Sequence, residues 1–371
     1  MKAVIIRSTS IFKDSRTTKL VKELLLQGVE VTVLGWDRLN EYSDQEEIVV
    51  GERKAKIIFY KEYCPYGGGI KNLMKSLRFQ RWVKKKIKSL SEDYIIHCCD
   101  YDTAKPAFKV RGKKKLIYDI FDYFSESRSL PVLAKNLIKK GENKIVNKAD
   151  AVVICTEQRR DQIKDCSPKK LFVIHNTPNL NVDFATEKNL TSDKFKVVYV
   201  GVLAENRLLK EILEKSKDYK DIEFHIGGIG QLAPYVKQLS EQQDNVIYHA
   251  SMNYEEVLKL EKNAHLLFAT YDPNIPNHKY SAPNKFYEAG ALAKPIIVCK
   301  NTGVDVLVES SNCGLTIEYD ASDFYEKVEI LISNKNLYEE FCKNGKSAYE
   351  TNYSWSIMRQ RIGQLYKAVE D

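Results

Sequence analysis

The sequence predicts two doubly wound α/β domains in tandem, and three observations carry that prediction. Short apolar runs alternate with amphipathic stretches almost from end to end. The runs are β-branched and nearly continuous rather than alternating, as expected for strands of a parallel sheet buried on both faces. The pattern breaks once, at His175-Asn176-Thr177-Pro178-Asn179 and the polar stretch 179–194, and then restarts. At ~100–200 residues per domain, a chain of 371 residues also suggests two domains.

Taken in order, residues 2–7 read as a strand and 14–27 as a helix that Gly28 stops, with Asp14 as its N-cap. Strands follow at 29–34, 57–60, 94–98, 116–120, 151–155 and 171–174, with helical patterns between most of them. The alternation restarts at Lys196-Val197-Val198-Tyr199-Val200-Gly201. Further strands read at 222–226, 246–248, 265–270, 295–299 and 314–318, and helices at 320–333, 335–348 and 355–369. The boundaries expected are a first Rossmann-like domain at 1–178, a second at 179–353, and a helix at 354–371 that crosses back to the first. Ligands of such sheets bind at the carboxyl ends of strands, here expected in a cleft between the domains.

Composition excludes several classes. Ten Pro and 17 Gly are too few for a fibrous or disordered chain, and no run approaches the ~18–20 apolar residues of a membrane span. The start, Met1 to Arg7, lacks the features of a signal peptide. The eight cysteines show no zinc-ligand spacing and read as small buried hydrophobes in a reducing cytosol. The net charge of +8 is concentrated: residues 70–115 carry +10 and the rest of the chain −2. Within that block Ile70, Leu73, Met74 and Leu77 share a helical face. The apolar stripe then moves to Phe79, Trp82, Val83, Ile87 and Leu90, with Lys71, Lys75, Arg78, Arg81, Lys84, Lys85, Lys86 and Lys88 around it. Apolar residues flanked by cations over 70–90 suit an anionic membrane surface. The aromatics are not interleaved as a stacking platform, so nucleic acid is not expected.

Ser281-Ala282-Pro283-Asn284-Lys285-Phe286-Tyr287-Glu288 opens a helix before the buried strand at Pro295. Lys285 falls in the first turn, where the helix dipole disfavours a cation; an anion at that end would remove the conflict. Glu288, a turn further on, can accept hydrogen bonds from sugar hydroxyls. Gly227-Gly228-Ile229-Gly230 links a strand to a helix and permits close backbone approach. Asp100-Tyr101-Asp102 has the spacing of a metal-binding D-x-D, but it also lies between strand and helix with Asp102 as a suitable N-cap, so no metal is expected.

The run 281–298 resembles the donor-site helix of retaining GT-B glycosyltransferases, especially family 4 and its bacterial surface-polysaccharide members, with Ala293 in place of their last Gly. The resemblance extends over both domains. It implies a GT-B fold, with the donor's nucleotide diphosphate sugar as co-substrate and no separate cofactor. Glu288 would hold the ribose, and the helix end at Asn284 would face the diphosphate. Gly201-Val202-Leu203-Ala204-Glu205-Asn206-Arg207 resembles a loop with two phosphate-binding cations. Arg207 matches the second; Val202 replaces the first, and Lys285 would compensate. Tyr280 stands where a second Glu is usual. Gly201, Gly227, Gly230 and Asn253 would line the nucleotide side. On the acceptor side, Asp14 and Arg16 match a D-x-R. Tyr118-Asp119-Ile120-Phe121-Asp122 matches a motif in which Phe121 replaces the usual His, leaving Asp122 as the polar group nearest the acceptor.

The function implied is transfer of a sugar, with retention and without a metal, from a UDP sugar in preference to others. The acceptor would be a saccharide, lipid-linked, at the cytoplasmic face of a bacterial membrane, in capsule or exopolysaccharide synthesis. Asp122, Arg207, Lys285 and Glu288 would carry the catalytic roles. The alternatives are a sugar-nucleotide 2-epimerase, or a non-catalytic partner of another glycosyltransferase, for which Tyr280, Phe121 and Val202 speak.

Overall fold

The computed structural model describes residues 1–65, 72–127, 131–180 and 194–371. It divides into two compact units, Met1–His175 with Met358–Asp371, and Asn176–Ile357.

The first unit runs β1 (Lys2–Ile6), α1 (Ser15–Leu26), β2 (Glu30–Asp37), β3 (Gln45–Val50), β4 (Arg53–Lys61), α2 (Leu73–Lys88), β5 (Tyr94–Cys99), α3 (Tyr101–Val110), β6 (Leu116–Ile120), α4 (Val132–Lys148), β7 (Ala151–Ile154) and β8 (Leu171–Val173). Its strands form one eight-stranded sheet in the order β3-β4-β2-β1-β5-β6-β7-β8. All pairings are parallel except the β3–β4 edge. β1, β6 and β7 are almost wholly buried, which their unbroken apolar sequences require. β3 escapes the sequence pattern: it is a charged edge strand with burial confined mainly to Ile48. β4 also starts earlier than its apolar core suggests.

Helices α2, α3 and α4 contribute Phe79, Val83, Ile87, Tyr101, Ala104, Ala107, Ile145 and Val146 to one core on the sheet. Of the two apolar stripes read in the basic block, Phe79, Val83 and Ile87 are thus the buried one. Leu73 and Met74 are each 56% exposed; Ile70 and Lys71 lie outside the described residues. The chain's last helix, α12, covers Trp355–Glu370. Within the first unit its Tyr366 hydroxyl meets His97 Nδ1 at 2.9 Å, Arg359 Nε pairs with Glu23 at 2.8 Å, and Arg361 donates to the Val173 carbonyl at 2.9 Å.

The second unit runs β9 (Phe195–Val200), α5 (Leu209–Lys215), β10 (Ile222–Gly227), α6 (Ala233–Gln242), β11 (Val246–Tyr248), α7 (Tyr254–Lys262), β12 (Leu266–Ala269), α8 (Asn284–Ala291), β13 (Ile296–Cys299), α9 (Val304–Ser311), β14 (Gly314–Ile317), α10 (Ala321–Ser333) and α11 (Lys335–Ala348). Six parallel strands lie in the order β11-β10-β9-β12-β13-β14. One core fills the α5, α6 and α10 side of this sheet and a second the α8 and α9 side. Each sheet therefore has a point where strand order reverses, at β1/β5 in the first and β9/β12 in the second. Loops diverge there and leave room for a ligand.

Candidate active site

In the second unit, the loop after β9 turns once through Glu205–Arg207 before Leu208 takes a left-handed φ of 54°. Arg207, half-buried, reaches across the β9/β12 reversal. Its Nη1 lies 3.1 Å from His278 Nε2, and its Cζ sits 4.0 Å from the Tyr271 ring centroid. A guanidinium can only donate, so His278 Nε2 accepts. His278 Nδ1 then carries the proton toward the Asp272 carbonyl 2.9 Å away. The neutral imidazole and the Tyr271 ring hold the guanidinium in place without neutralising it. The His278 segment ends at Tyr280.

Lys285 and Glu288 come together, though not as the dipole argument foresaw. α8 begins at Asn284 with Pro283 in the cap position; Ser281 instead donates to the Thr302 carbonyl at 2.8 Å. The anion that settles Lys285 at this helix end is the protein's own. Its Nζ lies 2.9 Å from Glu261 Oε1, supplied by α7, and 3.4 Å from Glu288 Oε2. The three side chains are only 10%, 0% and 2% exposed. Burial alone would lower the lysine's pKa, but Glu261 and then Glu288 outweigh it and raise it. Burial and the neighbouring Glu288 push the Glu261 carboxyl upward, against Lys285. Glu288 Oε1 accepts from the Tyr254 hydroxyl at 3.1 Å. Burial raises the Tyr199 phenol, and the charges of Arg207 and Lys285 pull against that rise.

The glycines here serve loop against loop. A Cβ on Gly228, at φ +127°, would stand 1.9 Å from the Gly201 carbonyl oxygen; on Gly230 it would stand 2.3 Å from that of Leu203. Gly228 N also donates to the Ala250 carbonyl at 2.6 Å. Gly201, Gly227 and Gly230 thus knit the loops after β9, β10 and β11 together. Asn253, in the last of these, caps α7 in a reciprocal capping box with Glu256. Asn284 Oδ1 accepts from Asn176 Nδ2 at 2.8 Å. Val202 is 60% exposed. Ala293, where the resembling family has Gly, holds a φ of 54°.

In the first unit a second polar group gathers at the β1/β5 reversal. Asp14 caps α1 through Thr17 N at 3.0 Å and accepts from Arg7 Nε at 2.6 Å. Arg7 also pairs with Asp100, and Arg16 Nη2 donates to Asp119 at 2.6 Å. Both guanidiniums pack on Phe121, with Cζ atoms 4.4 and 3.9 Å from its ring centroid. The ring that stands where the resembling family has an imidazole is therefore a platform for two cations. Asp122, exposed, accepts from the buried Arg159 at 3.2 Å.

Asp102 is not the cap of α3. Asp100 occupies that position at φ 70° without a side-chain cap bond, because its carboxylate accepts from Arg7 and from the Phe121 and Asp122 amides. Burial pushes its pKa up to about 6, against the pull of Arg7 and helped by Asp102 and Asp122. His97, Cys99 and Asp119 place ligand atoms within 4.8 Å of one another. Two of the three are engaged, since Asp119 accepts from Arg16 and its other oxygen lies 3.3 Å from His97 Nε2. Arg7, Arg159, Glu261, Tyr254 and His278 were missed in the sequence; each is a single residue whose partner lies on a distant element.

Residues 182–348 match the family described as Glycosyl transferases group 1. No curated protein matches the chain. Among solved structures, the sucrose-phosphate synthase of Thermosynechococcus elongatus is similar over 99% of this chain and 98% of its own, with a TM-score of 0.80 at 15% identity. A trehalose-6-phosphate protein from E. coli bound with UDP-2-fluoro glucose is similar over 100% and 99%, with a TM-score of 0.75 at 10% identity. Anabaena HepE in complex with UDP-glucose covers 99% and 100%, with a TM-score of 0.70 at 13% identity. The two-unit α/β architecture is thus that of GT-B glycosyltransferase structures, and the match to group 1 glycosyl transferases falls within the second unit.

Proposed function

We propose that the chain transfers a sugar, with retention, from a UDP sugar to a hydroxyl of a saccharide acceptor. The observation that carries this reading is the placement of Arg207 at the β9/β12 reversal and of the Lys285–Glu288 pair on α8, the helix that follows β12, in a domain that matches group 1 glycosyl transferases. Arg207 offers guanidinium N–H groups to the diphosphate, steadied by His278 and Tyr271. Glu288 accepts from the ribose hydroxyls, and Lys285 fixes its carboxylate. Catalysis rests on holding the reactants together and on stabilising charge as it develops on the leaving diphosphate. The acceptor oxygen bonds to the anomeric carbon, the bond to the diphosphate oxygen breaks, and the hydroxyl proton passes to that leaving oxygen. No metal is required. UDP is favoured because two similar structures hold UDP sugars.

The first unit would receive the acceptor through Asp14, Arg16, Asp119 and Asp122. A lipid-linked saccharide of surface-polysaccharide assembly fits the cationic α2, whose Leu73 and Met74 are exposed. The chain would then work at the cytoplasmic face of the membrane. Among the described residues no helix is long and apolar enough to span a membrane.

Thermal-shift and calorimetric titrations with UDP, GDP, ADP, their sugars and NAD(P) test the reading, followed by assay of UDP release with a saccharide acceptor. UDP-sugar binding is expected; binding of NAD(P) alone, or of no nucleotide, overturns it. Interconversion of free UDP sugars without an acceptor would establish an epimerase instead.

A further inference from the structure

The three most exposed large apolar side chains among the described residues cluster in the first turns of one helix. Val132, Leu133 and Leu137 of α4 are 72%, 81% and 71% exposed. Leu133 and Leu137 continue along the helix into Lys140 and Lys144, at spacings of four, three and four residues, which is one stripe of an α-helix. α4 contains five lysines and one acid, Glu142. That acid is fully buried and accepts from the Phe124 and Ser125 amides at 2.7 and 3.0 Å. The outer face of α4 is therefore apolar at its start and cationic beyond.

α2 repeats this gradient. Leu73, Met74 and Leu77 are exposed in its first turns, Arg78, Arg81, Lys85 and Lys88 follow, and the helix contains no acid. The fold aligns the two gradients. α2 follows β4 and α4 follows β6 in one parallel run of strands, and both helices pack on the same core. Each helix returns antiparallel to its strand, so both apolar starts lie at the carboxyl end of the sheet. Only α3 stands between them, which separates the two by two packed-helix spacings, or ~16–20 Å. The loop from β6 into α4 begins with Phe121 and Asp122, at the candidate acceptor site.

We infer that the starts of α2 and α4 form a two-point docking surface for an anionic lipid bilayer, with leucines entering the acyl boundary and lysines at headgroup level. This deepens the proposal for α2 and rests on it only for the biological setting, because the docking is measured without any sugar transfer. Charge complementarity selects the occupant: exposed apolar turns ringed by cations match an anionic surface. Two contacts fix the orientation of the first unit, where one amphipathic helix would leave it free to roll.

Co-sedimentation of the whole protein with vesicles of phosphatidylcholine containing about 30% phosphatidylglycerol tests the surface, beside vesicles of phosphatidylcholine alone. Binding to the anionic vesicles is expected, falling with salt. Leu133→Ser with Leu137→Ser, Lys140→Glu with Lys144→Glu, and Leu73→Ser with Met74→Ser should each lower the partition coefficient at least tenfold, with the melting temperature and UDP-glucose affinity unchanged. Leu133→Trp should show a blue-shifted emission on anionic vesicles. Wild-type indifference to anionic vesicles at low salt overturns the inference. Full binding by both α4 variants also overturns it, leaving α2 as a single contact. A wild-type dimer in sedimentation velocity that the leucine variants dissolve assigns the patch to a second copy and overturns it as well.

Discussion

Lys285→Met probes the buried centre of the second unit. The substitution preserves much of the side-chain volume but leaves Glu261 and Glu288, 0% and 2% exposed, without the cation that lies 2.9 and 3.4 Å from them. Removing one partner of a buried ionic group destabilises by about 3–5 kcal/mol. At ~2–4 °C per kcal/mol for a unit of this size, the transition of the second unit should fall by about 6–20 °C. The sign with pH follows from the carboxylates. Without Lys285 the Glu261 carboxyl, already raised above its ordinary value by burial and by Glu288, rises further. Stability is then retained at low pH and lost as pH rises through the folded value, so the gap between variant and wild type should be larger at pH 8 than at pH 5.5. Adding Glu261→Met should return much of the loss, because the two groups form one unit. Scanning calorimetry at both pH values measures all three proteins. A Lys285→Met transition within about 2 °C of wild type at both pH values would refute the assignment of this lysine to the carboxylates.

Four further outcomes are expected. Glu288→Ala should weaken UDP-glucose binding about ten- to a hundredfold in calorimetry, the worth of a charge-assisted hydrogen bond of ~1.5–3 kcal/mol. His278→Ala should lower turnover by loosening Arg207, yet cost less than Arg207→Ala; equal effects of the two would mean that the imidazole does more than steady the guanidinium. Asp100, with its pKa raised to about 6, should give kcat/KM an acid limb near that value as its pair with Arg7 is lost, and Asp100→Asn should remove the limb. Ala293→Gly should raise stability by about 1 kcal/mol, since a side chain at φ 54° carries strain that Gly lacks.

What the sequence disclosed depends on how local each determinant is. Strands such as β1, β7 and β13 are buried on both faces, so their sequences are unbroken apolar runs that read directly. β3 is an antiparallel edge strand whose Gln45, Glu46 and Glu47 meet solvent, and nothing apolar marks it before Ile48. The cap of α1 at Asp14 is local and was legible; that of α3 was misread because the Asp100 carboxylate is drawn to Arg7, far away in the chain. The dipole argument correctly required an anion near Lys285, but only the fold brings Glu261 there from another helix. Phe121 reads in sequence as a lost imidazole. Its role as the surface under Arg7 and Arg16 appears only when β1, β6 and α1 are assembled.

The composition of the first unit from two separated segments has a consequence for biosynthesis. His97, in the middle of the first sheet, takes its Nδ1 partner from Tyr366, and Glu23 takes Arg359, both near the end of the chain. Asn176–Ile357 must leave the ribosome first, which at ~5–20 residues per second takes roughly ten to forty seconds. During that time the first unit, its sheet already made, waits without its last helix, while the second unit has its whole sequence in hand. The later-made unit can therefore finish folding first, and a chain that loses its last turns should shed order in the first unit, at the far end of the sequence from the lesion.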